Sequence, residues 1–230
     1  MRRARNGAVA EREAWRGDPL PRGRHKLSPD TVRASQRERL IRAMLETVAE
    51  RGYEGTTVPQ VVARARVSRN AFYEFFADKT DCFIAACDEE GADLLQTVLA
   101  AGAAAADWVS ALRMGAREYL RWWQERPALT RAYFTGLPQA GQPAIAQRER
   151  QYASFRAILA DLGRRARLEQ PSLPPLREVV PRVLVMAITE LVAEAVRNGN
   201  TEQLTRLEDE IVFVSVKLLA ADDAAQRAIA

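Results

Sequence analysis

Three consecutive side chains, Ser68, Arg69 and Asn70, carry hydrogen-bonding groups that suit a nucleic acid. Arginine pairs bidentately with the O6 and N7 of guanine, and asparagine with the N6 and N7 of adenine. Ser68 adds a hydroxyl at a helix start, where the positive end of the peptide dipole favours a phosphate. Ala71 offers a methyl group to that of thymine. Other chemistries lack their parts. His25 is the sole histidine, which excludes histidine-based triads and multi-histidine zinc sites. Cys82 and Cys87 are five positions apart on one predicted helix, about 140° around its axis, so they read as core or free thiols rather than a disulfide or metal pair. The loop GLPQAGQP has neither the flanking strand nor the Lys-Ser/Thr of a phosphate-binding loop. Asp222 and Asp223 fall in an alanine-rich end and read as a frayed helix terminus. No nucleophile, base and orienting group can be assembled, so no catalytic residue, metal site or cofactor is expected.

The elements that must position these residues follow from local chemistry. A helix opens near Ser35 and carries Leu40, Ile41, Met44, Leu45 and Val48 on one face, until Gly52 supplies a stop. A short second helix starts at the capping-box pattern Thr57-x-x-Gln60, with Pro59 tolerated in its first turn, and ends by Ala65. Ser68 caps a third helix, and Asp78-x-x-Asp81 opens a fourth that runs into the alanine stretch at 100–106. After the N-cap Asp107, the residues Trp108, Leu112, Gly115, Tyr119 and Trp123 fall along one side of a helix, with Arg113, Arg117 and Arg121 along the other. Pro127 closes it. A short segment around Thr130 to Phe134 leads to the GLPQAGQP loop, and Ile145, Tyr152, Phe155, Leu159 and Leu162 mark a further amphipathic helix. The linker PSLPP precedes two strongly apolar helices, roughly 176–198 and 201–220.

Composition agrees with an all-α protein. The 230 residues are 47% hydrophobic, enough for a core, and long segments carry the helical period. Every apolar stretch is broken by charge before the roughly 20 residues that cross a bilayer, so no membrane partner is expected. The arginine-rich start lacks the apolar core and cleavage site of a secretory signal, and two cysteines suit a reducing cytoplasm. Net charge is only +4, but residues 1–34 hold nine Lys/Arg against four Asp/Glu. This stretch is expected to be a flexible basic tail, either merely solvated or lying along a polyanion, with Arg33, Arg37 and Arg39 as the nearest phosphate candidates.

The run VSRNAFYEFFADKTDCF, from Val67 to Phe83, together with GYEGTTV, from Gly52 to Val58, closely resembles the helix-turn-helix segment of the TetR (tetracycline-repressor) family of transcriptional regulators. Sequence motifs carry the likeness over residues 37–85; beyond them only helix count and order agree. The resemblance implies that Thr57, Tyr73 and Lys79 touch phosphates while Arg69 and Asn70 reach base edges. Two positions depart from the family pattern. Arg66 stands where a turn glycine is frequent, and Phe75 where histidine is.

What the resemblance implies is a three-helix DNA-binding domain at residues 35–80, joined to a helical effector-binding and dimerisation domain at 81–230, about nine helices in all. Trp108, Leu112, Tyr119, Trp123, Phe134, Tyr152 and Phe155 could line an effector cavity or fill a core. The expected interface of a homodimer comprises Val183, Leu191, Leu204, Leu207, Ile211, Val214 and Leu218 on the last two helices, because those helices are more apolar than one packing face requires. The expected partners are double-stranded operator DNA, a second copy of the chain and a small lipophilic or aromatic effector that releases the DNA. The alternative is a helical architectural or interaction protein that takes no ligand.

Overall fold

The computed structural model describes residues 28–221, and within them every regular element is a helix. The tail 1–27, with His25, and the residues Asp222 and Asp223 lie outside the described residues. The helices are α1 (Pro29–Arg51), α2 (Val58–Ala65), α3 (Arg69–Phe75), α4 (Lys79–Ala103), α5 (Trp108–Gln124), α6 (Pro127–Arg131), α7 (Gln142–Glu169), α8 (Val179–Arg197) and α9 (Glu208–Leu219). Helix α1 begins six residues before the expected Ser35. Proline suits a first helical position, and the Ser28 hydroxyl accepts the Thr31 N–H at 3.2 Å, so a Ser-Pro start had been available to read.

From residue 35 onward the first three helices close over Leu40, Met44, Val48, Val61, Phe72 and Phe76, all buried. Helix α4 enters this cluster through Cys82 and Phe83 and leaves it through Leu94 and Val98, so one continuous rod serves the small N-terminal core and the larger body. Both cysteines are buried, and desolvation pushes their thiols up, which leaves them protonated and inert.

Helix α5 is the centre of the body, packed against α4, α7 and α9. Its apolar side is buried, and Arg113 and Arg117 on the other side reach the first residue of α9: Arg117 Nε donates to Glu208 at 2.8 Å and Arg113 Nη1 at 3.0 Å. Those two guanidiniums, Arg117 foremost, hold the Glu208 carboxyl below its ordinary range. The chain between α8 and α9 departs from expectation. Residues 201–207 form a tighter 3-10 segment, broken at Gln203, and Gln124 of α5 accepts both the N–H and the hydroxyl of Thr205 at 3.1 Å. The last predicted helix is therefore shorter, and its first turns dock on α5.

Candidate DNA-reading surface and effector cavity

Local chemistry builds the turn between α2 and α3. Gln60 accepts the Thr57 N–H at 2.9 Å, completing one arm of the expected box at the start of α2. At the other end, Arg66 adopts φ 53° and ψ 46°, the left-handed conformation for which glycine is suited. Such a backbone costs an ordinary residue about 1–2 kcal/mol. Arg39 offsets this by donating to the carbonyls of Ala65 and Arg66 at 3.2 and 3.4 Å. Ser68 then caps α3 by accepting the Ala71 N–H at 3.1 Å.

This geometry leaves Thr57, Ser68, Arg69, Asn70 and Tyr73 on the exposed side of the module. Tyr73 is 48% exposed, and the Arg69 guanidinium lies 5.7 Å from the centre of its ring. Phe72 and Phe76 point into the core. Four expectations change. Ala71 is only 8% exposed and packs inward beside Phe72, so its methyl group is withdrawn from any base. Arg39 clamps the turn, and Arg37 is paired with Glu89 and stacked 5.5 Å over Phe76, so neither is an arm for phosphates. Lys79 points to its own backbone: Nζ donates to the carbonyls of Tyr53 and Thr56 at 2.9 and 3.0 Å and sits 4.4 Å over the Tyr53 ring. It positions the α1–α2 loop that presents Thr57.

In the body, α4, α5, α7 and α8 line a half-open cavity of about 390 Å³. Of the residues expected there, Leu112, Tyr119, Trp123, Tyr152 and Phe155 line it, and Trp108 and Phe134 do not. Trp108 is buried at the start of α5, where its backbone N–H donates to Glu169 at 3.0 Å. Phe134 packs edge-on against Trp123 and is not part of the cavity wall. Sequence reasoning had not singled out Tyr133, Gln151 or Thr189. Each is one polar residue in an amphipathic stretch, and only packing reveals that it faces inward.

Tyr133 belongs to a single π-helical turn, Ala132–Gly136, an irregularity that often accompanies function. Its hydroxyl donates to Gln151 Oε1 at 2.7 Å, and Gln151 Nε2 donates to the Cys87 carbonyl of α4 at 2.7 Å. Three residues on, Gly136 meets the N-terminal core so closely that a Cβ there would stand 2.6 Å from Val48 Cγ1 and 3.5 Å from Phe83 Cζ. The cavity wall and the core beneath the DNA-reading helices thus share this turn as well as α4.

The expected interface residues divide. Leu204 and Ile211 are fully enclosed by their own chain and offer no surface to a partner; Ile211 also reaches the cavity. Leu191, Leu207, Val214 and Leu218 are half-buried, and Val183 is exposed. On these last two helices the exposed large apolar side chains are Val179, Val183 and Met186, spaced four and three apart on α8, and Phe213 of α9, which is 63% exposed.

Comparison with known proteins agrees with this architecture. Residues 40–86 match the model of the bacterial regulatory proteins, tetR family. A curated relative, the transcriptional regulator AcuR of Cereibacter sphaeroides, is 42% identical over 60 residues, a match spanning 26% of this chain and 26% of AcuR. Among solved structures, FadR of Bacillus subtilis in complex with stearoyl-CoA superposes with a TM-score of 0.70 at 18% identity, covering 80% of this chain and 97% of that one. A TetR family transcription regulator from Marinobacter aquaeolei gives 0.59 at 18% identity, with 79% and 97% covered. At these identities the structures speak to the fold.

Proposed function

We propose that this chain, whose residues 40–86 match the tetR family of bacterial regulatory proteins, is a transcriptional regulator of that family and works as a homodimeric repressor released from its operator by a small lipophilic or aromatic effector. Arg69 and Asn70 read base edges in the major groove; Thr57, Ser68 and Tyr73 fix the module on the backbone. Lys79 holds the loop that carries Thr57.

One observation supports ligand control above the rest: the cavity wall and the core of the DNA module are built on the same two elements, α4 and the π-turn. A molecule that pushes Tyr133 or the middle of α4 displaces the support of α1 and, through it, the recognition helix α3. Two heads bound to one duplex respond to such a tilt because their spacing must match a near-palindromic site, with half-site centres about 34–36 Å apart or a multiple of one turn. The dimer forms through α8 and α9, with Val179, Val183, Met186 and Phe213 at its centre, since this apolar surface otherwise faces water. An architectural DNA binder without a ligand would have no use for an apolar cavity of this size.

The deciding experiment titrates an effector onto the protein with and without operator. Coupling between two sites is reciprocal, so an inducer that weakens operator binding a hundredfold, about 2.7 kcal/mol, must itself bind a hundredfold more weakly in the presence of operator. Identical affinity in both cases for every cavity ligand rules out ligand control.

A further inference from the structure

The polar groups around the cavity are few, and most are already engaged. Among the described residues, Arg165 and Asp161 are the only charged ones of the wall. Arg165 donates to Glu169 Oε1 at 2.7 Å and to the Ala105 carbonyl at 2.8 Å, and Asp161 is paired with Arg164. Gln151 uses its amide nitrogen on Cys87 and its oxygen on the Tyr133 hydroxyl. What remains is the indole N–H of Trp123, buried without a hydrogen-bond partner, and a group of three hydroxyls. Thr189 of α8 donates its proton to the Val185 carbonyl at 2.7 Å, so its oxygen can only accept. Tyr119 and Tyr152 line the same cavity as Thr189. Around them the wall is apolar, with Leu94, Leu112, Phe155 and Ile188.

An anion in this place would lose part of its hydration and meet wall charges that are already paired, a burial that is unfavourable without a partner charge. The guanidinium of Arg148, whose buried Nε has no hydrogen-bond partner, lies 5.7 Å from the centre of the Tyr152 ring and is not part of the wall. An uncharged oxygen function fares differently: it accepts a proton from Tyr119 or Tyr152, or donates one to their lone pairs, while its hydrocarbon part fills the apolar remainder.

We propose that the occupant of this cavity is an uncharged amphiphile, a lipophilic molecule whose single hydroxyl or carbonyl group is held by Tyr119, Tyr152 and Thr189, and that carboxylates and acyl-CoA thioesters are discriminated against. The inference rests on the reading of the cavity as the effector site and narrows it by charge. FadR of Bacillus subtilis, seen with stearoyl-CoA, shares the fold.

The test uses the full chain and matched probes at neutral pH: 1-decanol against decanoate and decanoyl-CoA, and 1-naphthol against 1-naphthoate, with Trp fluorescence or calorimetry as readout. The expected result is that at least one neutral probe binds about tenfold or more tightly than its charged counterparts, and that Tyr152→Phe or Thr189→Val weakens it severalfold while leaving the melting temperature close to that of the parent. Equal or tighter binding of a carboxylate or of the acyl-CoA, above all if Arg148→Met abolishes it, overturns the charge assignment and leaves the cavity as an effector site. Neutral binding that ignores all three hydroxyls, tested by adding Tyr119→Phe, overturns the assigned polar contact. Failure of every probe to bind removes both this inference and the ligand-controlled reading beneath it.

Discussion

The ammonium group of Lys79 lies 2.9 Å from the carbonyl oxygen of Tyr53, although 26 residues separate them. A side chain expected at the DNA backbone is thus part of the module's own frame. Lys79→Met should lower stability by about 1–3 kcal/mol, the range for losing charge-assisted hydrogen bonds. It should weaken specific and random DNA alike, through the displaced loop, with the salt dependence unchanged. Denaturant melts and binding titrations over a range of salt measure both. A salt slope reduced by about one unit would return Lys79 to the phosphate contacts.

The proposed base reading rests on Arg69 and Asn70. Alanine at either should cost about 1–3 kcal/mol on the operator and relax preference at one base pair per half-site, with little change on random DNA. Arg69→Ala also releases Tyr73, which its guanidinium covers, so Tyr73→Phe is the control for that contact. Competition binding against a library of single-base operator variants gives the answer directly, and equal loss on specific and random DNA would remove Arg69 from base readout.

Gly136 tests the link between cavity and head. In Gly136→Ala the new methyl group, 2.6 Å from Val48 Cγ1, forces the π-turn or α1 to shift, with an overpacking penalty of about 1–3 kcal/mol. Operator affinity should change even though no group near DNA has been altered. Adding Val48→Ala makes room and should recover part of both losses. If Gly136→Ala leaves operator binding untouched at full folding, coupling runs through α4 alone.

The interface residues separate by phenotype. Met186→Asp and Phe213→Asp place charge on exposed apolar surface and should yield a folded monomer in sedimentation. Leu204→Ala and Ile211→Ala should instead destabilise the chain by about 2–5 kcal/mol, as buried aliphatic truncations do, with the dimer persisting where the fold does. A dimer that survives both aspartates lies on another surface.

What the sequence determined by itself is whatever a single turn of chain decides. Thr57, Ser68, Asp78 and Asp107 were legible as helix starts because a cap is a contact between residues two or three apart, and all four precede observed helices. The exposure of Arg69, Asn70 and Tyr73 was legible because Phe72 and Phe76 claim the opposite side of the same short helix. Tertiary structure decided the rest, since its partners come from far along the chain. Arg39 could be assigned to a turn 26 residues away, and Arg37 to Glu89, only once α1 was packed. Periodicity marks the apolar faces of α5, α8 and α9 without saying which part meets the core, a cavity or water. Trp108 is filled core and Tyr119 cavity wall although both lie on the apolar side of α5, because different elements converge on the two positions. Leu204 is enclosed and Met186 exposed for the same reason: burial is a property of the surfaces that converge on a residue, and local sequence does not contain them.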